Sequence, residues 1–319
     1  MAACGTHRHQ RGLALITAVL VVAIVATVAT TLALGEQVWF RQAQNMANRA
    51  QAESLRRGAF NYAAILLTLD GQQNKTDHLD ELWAKPQPPL PVEDGMIAFK
   101  VQDAQSRFNL NNLVRGSGSA DFEMFKRLLD SQKIDQGLSA SLLDWLDPDS
   151  IVSPGGAEDI EYLSLPQPYR SANQLLLSVD ELRLVKGFTA DTVEKLRPFV
   201  TALPYSTPVN VNTAPAEVLA ALFTNLPASV LQPLLDSRVK SPFADIAQFL
   251  ARLPTGTTCP ANLCDVKTGY FLVTIDIRYG RLQRQTEALI ERISGGKPAT
   301  VLWHRLPPLQ FEMKLDEKT

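Results

Sequence analysis

The chain has 319 residues, enough for one large domain or a few small ones. Hydrophobic residues make up 45% and charged residues 20%, so the body is expected to fold around a buried core. A net charge of −2 gives no whole-chain footprint for nucleic acid, and the scattered His7, His9, His78 and His304 argue against a paired-histidine zinc site or a Ser-His-Asp triad.

Arg8 and Arg11 precede "LALITAVLVVAIVATVATTLAL", 22 residues (13–34) without a charge. As a helix rising ~1.5 Å per residue this run spans ~33 Å, enough for a bilayer core of ~30 Å. A secretory signal usually has a shorter apolar core and then a small-residue cleavage site. Here the run passes directly into "GEQVWFRQAQNMANRAQAESLRRGAFNYAAILLTL". That stretch lacks proline and carries Val38, Phe40, Met46, Leu55, Tyr62 and Leu66 at helical spacing. One long helix is expected, with Gly35 as the place that could kink it. The positive leader keeps the N-terminus cytoplasmic, so in a double-membrane bacterium the body lies in the periplasm. A plain signal anchor and a helix that packs on other helices both fit these residues.

Basic residues, then Gly12, then an immediate hydrophobic helix resembles the leader of type IV pilin-like proteins. The resemblance implies cleavage by prepilin peptidase between Gly12 and Leu13, with residues 1–12 as the leader and Leu13 as the N-methylated first residue. Most members carry Glu as the fifth mature residue, where it neutralises a neighbour's N-terminal amine. Here that residue is Thr17. Within the family this absence is similar to the K-type minor pseudopilins of type II secretion.

Further along, "KPQPPLPVEDG" (residues 85–95) reads as an extended linker or turn. "MIAFKV" alternates like a strand. Residues 109–254 turn mostly helical with many breakers. "YFLVTIDIRYG", "RLQRQTEALIERI" and "ATVLWHRL" then alternate as three strands. The expected class is α+β: a long N-terminal helix plus a small antiparallel sheet, interrupted by a helical insert. The divisions expected are residues 13–34 for the membrane or fibre core, 35–108 for the pilin helix and first strand, 109–264 for the insert, and 265–319 for the last strands. A pilin fold with a large α-helical insert is what the K-type resemblance implies, so it covers nearly the whole chain.

Two stretches of the insert resemble helix-hairpin-helix units: "SVDELRLVKGFTADTVEKL", with Gly187 at its turn, and "VNVNTAPAEVLAALFTNLPASVLQPLL". In the second, Asn212 or Thr213 is placed to cap the next helix, with Pro215 in its first turn. A DNA-binding hairpin needs glycines and free N–H groups near a phosphate. Here Pro227 removes one and basic residues do not cluster. The expectation is a SAM-like packing module rather than a nucleic-acid interface.

The strongest chemical constellation is "LLDWLDPDSIVSPGGAEDIEYLSLPQPYRSAN". It gathers Asp144, Asp147, Asp149, Glu158, Asp159 and Glu161 around the turn Pro154-Gly155-Gly156. Oxygen ligands on an irregular loop suit Ca²⁺, although the spacing is not that of an EF-hand. A solvated acidic face, or pairing with Arg170 and Arg183, also fits. A two-carboxylate hydrolase finds no supporting nucleophile or aromatic platform. "D-W-x-D … G-A-E-D … Y-R-x-A-N" resembles the K-type pattern, which implies calcium in the helical domain. Asp147, Asp149, Glu158 and Asp159 are the expected ligands, with Asp144 as a further candidate. Cys259 and Cys264, with four residues between them, either close a small disulfide loop in an oxidising compartment or remain free thiols.

The resemblance implies a non-enzymatic subunit at the tip of a type II secretion pseudopilus, membrane-anchored, assembling with I- and J-type minor pseudopilins and supporting export of folded proteins. Secreted substrates, the secretin and the inner-membrane assembly platform are further implied partners. The alternatives from other classes are a membrane-anchored competence-type DNA-binding protein and a minor type IV pilin.

Overall fold

The computed structural model describes residues 7–306 except Asn225, Ala261 and Ser294. Residues 1–6 of the expected leader and 307–319 of the expected last segment therefore lie outside the described residues. Helix α1 runs unbroken from His7 to Gln73. Gly35 does not interrupt it; open space lies where a Cβ would stand. Threonines in the apolar half turn back on the helix. Thr27 Oγ1 donates to Ala23 O and Thr30 Oγ1 to Ala26 O, each at 2.8 Å. Those hydroxyls are satisfied without water, as a lipid environment requires.

Strand β1 (Leu90–Val92) and strand β2 (Gly95–Asp103) form a tight hairpin. The proline-rich stretch read as a linker thus contains a short strand. Its Pro91 sits at the sheet's edge, where a missing N–H is tolerated. The insert follows: β3 (Phe108–Asn109), α2 (Ala120–Ser131), α3 (Leu138–Leu146), α4 (Asp159–Leu163), α5 (Ala190–Leu196) and β4 (Val200–Thr201). It continues with β5 (Val209–Asn210), α6 (Ala216–Leu222), α7 (Ala228–Lys240), α8 (Ile246–Leu250) and β6 (Cys264–Asp265). The chain then returns as β7 (Tyr270–Tyr279), β8 (Leu282–Glu291) and β9 (Thr300–Arg305).

The sheet has the order β1-β2-β7-β8-β9 and is antiparallel throughout. One face packs on α1, whose Ala52, Phe60, Ala63 and Leu67 recur at helical spacing and bury against Ile97, Val273 and Ile275. On the other face Leu203 of the insert meets Tyr270 and Leu289. The insert has its own core, built around Phe108, Phe125, Trp145 and Phe249.

Asp103 and Phe271 are register partners on adjacent strands, so the insert leaves and re-enters the sheet at one point. That point is pinned by polar groups. Buried Asp103 accepts from Gln105 N at 2.7 Å, Asn210 Nδ2 at 2.8 Å and Thr213 Oγ1 at 2.6 Å. Burial pushes its carboxyl up to about 6.

Within the insert one device occurs twice. β3 pairs in parallel with β4, and β5 with β6. After each opening strand an asparagine braces the next turn: Asn109 Oδ1 accepts from Asn111 N at 3.2 Å, and Asn210 Oδ1 from Asn212 N at 3.0 Å. The second asparagine then clasps a distant backbone in both directions. Asn111 holds Leu176 with two bonds of 2.9 Å, and Asn212 holds Phe243 at 3.0 and 2.9 Å. This corrects the capping expectation: Asn212 and Thr213 do not cap α6, whose cap residue is Pro215 without a side-chain bond. Their side chains are spent on tertiary contacts. Gly187 likewise serves packing. Its φ of +87° favours glycine, and a Cβ there would collide with Leu138.

Candidate functional site

Helix α3 ends at Leu146, with Asp147 as its C-cap, and the chain enters the acidic loop. Glu158 opens α4 and its N–H donates to Glu161 Oε2 at 3.1 Å. Trp145 packs edge-on to Tyr162 at 5.1 Å, and Tyr162 stacks on Tyr169 at 5.4 Å. These rings form a firm floor beneath the loop. Gly156 is fixed by space: a Cβ there would collide with the Asp144 carboxylate.

Asp147, Asp149 and Glu158 each bring a carboxylate oxygen within 4.8 Å of the others. Among the described residues, Asp144 Oδ1, Asp147 Oδ1 and both Glu158 oxygens are buried without a hydrogen-bond partner. Asn173 Oδ1 and Ser171 Oγ in the adjoining segment are also without one. Glu158 is only 2% exposed and Asp144 fully buried. Burial, then the charges of Asp144, Asp147 and Asp149, push Glu158 up to about 7. Burial and then the charges of Asp149 and Asp144 also raise Asp147. Acids crowded, buried and unpaired are costly unless a cation or protons balance them. An all-oxygen donor set on an irregular loop suits a hard cation such as Ca²⁺.

Two expected ligands stand differently. Asp144 keeps one oxygen free, while its Oδ2 accepts from Ser153 N at 3.0 Å. Asp159 is not brought into the group. Its Oδ1 accepts from Ser171 N at 3.0 Å, and its Oδ2 faces Arg170 at 3.4 Å. At the first turn of α4 its side chain is drawn toward the 170–171 segment rather than to Glu158. The residue that spacing arguments missed is Asn173, whose Nδ2 donates to Asp149 O at 2.6 Å from a left-handed φ of +46°. The "YRSAN" stretch was the only signal for it.

A second acidic group, Asp70, Asp77 and Glu81, also converges. A built-in cation already serves it: Arg292 bonds Asp70 at 2.7 Å and Asp77 at 2.5 Å. Cys259 and Cys264 form a disulfide, with Cα atoms 6.3 Å apart. It ties the last loop of the insert to β6.

At the N-terminus, Gly12 and Leu13 lie within α1. Beyond them the helix is long and apolar enough to cross a membrane, with a mean hydropathy of 2.7 in its most apolar window, and that window is uncovered by the rest of the chain. Thr17 Oγ1 donates to Ala14 O at 3.0 Å.

Comparison with known proteins bears on this combination of anchor, sheet and insert. Family models described as "Type II secretion system (T2SS), protein K" match residues 106–205 and 209–262. The type II secretion system protein K of Pseudomonas aeruginosa is 36% identical over 306 residues, covering 91% of each chain. That of Klebsiella pneumoniae is 32% identical, covering 90% of this chain and 94% of its own. A chain in the crystal structure of the GspK-GspI-GspJ complex from enterotoxigenic Escherichia coli matches with a TM-score of 0.75 at 28% identity, covering 84% of this chain and 99% of its own. The long N-terminal helix, antiparallel sheet and helical insert are thus shared, and the chain belongs to the type II secretion system protein K family, the minor pseudopilins of that system.

Proposed function

We propose that this chain is a non-enzymatic tip subunit of a type II secretion pseudopilus, held in the inner membrane by α1 with its body in the periplasm. The observation that carries the reading is the insert. It is larger than the scaffold's own sheet, and its chain leaves and re-enters that sheet at a single point, Asp103 and Phe271. A mass attached there blocks a further subunit from adding above it. Thr17 supports the same end position, because no carboxylate is available there to neutralise another subunit's amine. Prepilin peptidase removes residues 1–12, and Leu13 becomes the methylated N-terminus.

The solved complex joins GspK to GspI and GspJ. Partners of the I and J type are proposed here too, on the exposed side of α1 where Val38, Phe40 and Met46 face outward. Such a tip would nucleate fibre assembly on the inner-membrane platform. It would meet secreted substrates and the secretin as folded proteins leave the cell. Sedimentation of the detergent-solubilised chain with I- and J-type pseudopilins tests the assembly: a ternary species at micromolar concentration is expected, and separate boundaries would overturn it. Intact mass of membrane-extracted protein tests processing: a chain starting at Leu13 is expected, whereas one starting at Met1 or beyond residue 34 would contradict it.

The same reading includes a structural Ca²⁺ held by Asp147, Asp149 and Glu158, with Asp144 and Asn173 beside them. The unpartnered buried oxygens support it. The ion would neutralise the carboxylates and set the loop on its aromatic floor. EDTA should lower the melting midpoint and added Ca²⁺ restore it; an unchanged midpoint would refute the ion.

A further inference from the structure

Two adjoining hollows lie between the sheet and the insert. The first, of 410 Å³, has Leu272, Glu287 and Leu289 on the sheet side and Arg107, Arg197 and Leu177 on the insert side. The second, of 540 Å³, is lined by Leu302, Trp303, His304 and Arg305 of β9 facing Leu177 and Tyr205. Successive strand side chains point to opposite faces, so a hollow lined by four in a row runs along the strand's edge. β9 is the last strand of the sheet, and among the described residues no strand pairs with its outer edge. Such an edge is a template for a further strand.

Charge identifies what fits. Arg197 is matched by Asp180 at 2.6 Å and Glu194 at 2.9 Å, and Arg305 by Glu287 at 3.2 Å. Half-buried Arg107 differs: among the described residues it makes neither an ion pair nor a side-chain hydrogen bond. Burial lowers its pKa, the charges of Glu287 and Asp103 oppose that fall, and Arg197 adds to it. A sheltered guanidinium with no carboxylate within bonding distance is costly, and its planar fork matches a carboxylate. Leu177, which lines both hollows, is 77% exposed, and Tyr205 of the second hollow is 68% exposed, an apolar platform larger than an inorganic anion would use.

We infer that this cleft receives an extended segment of a partner polypeptide, which adds to the outer edge of β9 and sets an Asp or Glu carboxylate on Arg107. Main-chain bonds to β9 would supply sequence-tolerant affinity. Arg107 would fix the register, because only every second side chain of the added strand faces the insert. Leu177 and Tyr205 would take a neighbouring apolar side chain. The proposal is independent of the Ca²⁺ loop and of the α1 surface assigned to I- and J-type partners.

The test uses the full chain in detergent micelles. The probes are an acetylated octapeptide of alternating Thr and Val with one central Glu, and its Gln and Lys counterparts. Hydrogen exchange of residues 300–305 and fluorescence anisotropy are read together. The Glu peptide should slow exchange in β9, and Arg107→Gln should weaken it about tenfold while leaving the Gln peptide unchanged. Leu177→Glu, at an exposed position that spares the fold, should also weaken the Glu peptide. Absence of slowing at millimolar peptide, or equal binding of the Glu and Lys peptides, would overturn the inference. So would β9 amides that are already protected in the free chain and become labile on deletion of residues 307–319, because the cleft would then belong to the chain's own tail.

Discussion

The Arg292 guanidinium donates to Asp70, Asp77 and the Thr268 carbonyl, and lies 4.8 Å over the Phe271 ring. One side chain thus joins the end of α1, the segment after it, and the loop by which the insert returns. Arg292→Met leaves Asp70 and Asp77 buried without their cation. A loss of about 3–5 kcal/mol is expected by denaturant titration. Glu81 lies nearby and accepts from Trp83 Nε1. Burial, then the charge of Asp70, pushes its carboxyl up to about 8, and the Trp83 bond opposes them only in part. A carboxyl with a raised folded pKa holds its proton after the unfolded chain has lost it. Its favourable contribution is therefore complete below the usual carboxylate value and is lost as pH climbs through about 8. Glu81→Gln should flatten that decline in denaturation midpoints taken from pH 5 to 8.5, and an unchanged slope would refute the assignment. In the acidic loop, Glu158→Gln should abolish the Ca²⁺-dependent rise in melting midpoint, because it removes a buried charged ligand. Asp159→Asn should leave most of that rise in place, because Asp159 is engaged by Ser171 and Arg170.

Among the elements, the two asparagine-braced strand pairs decide how the insert is held. Asn210→Ala removes bonds to Asp103 and to the Asp77 carbonyl and strands buried acceptors. A cost of about 1–3 kcal/mol is expected from equilibrium unfolding. The asparagines also show where sequence reading succeeds and fails. The period of α1, the alternation of β2, β7 and β8, and the disulfide spacing are local patterns, and they were legible. The parallel pairs β3-β4 and β5-β6 are two residues each, too short to carry a period. Asn212 and Thr213 have the chemistry of helix caps, and only tertiary structure shows their bonds to Phe243 and Asp103. The acidic loop divides in the same way. Composition singled out its carboxylates. Which of them converge depends on how α3 and α4 meet over Trp145 and Tyr162, and that placed Asp159 elsewhere and brought Asn173 in.

At the scale of the whole molecule, the fold separates three tasks. On the reading proposed above, the apolar half of α1 would anchor the chain, the sheet and the other half of α1 would make a stackable scaffold, and the insert would occupy the space above it. Because Asp103 and Phe271 are paired neighbours, a short turn can replace the intervening residues without opening the sheet. Such a chain should retain membrane insertion and lose its end position, entering pseudopili at internal places. The most direct measurement of the central claim is electron microscopy of isolated pseudopili carrying a gold label on the insert of the intact chain. The account predicts a single label at one end of each fibre; labels distributed along the fibres, or no label on any of them, would contradict it.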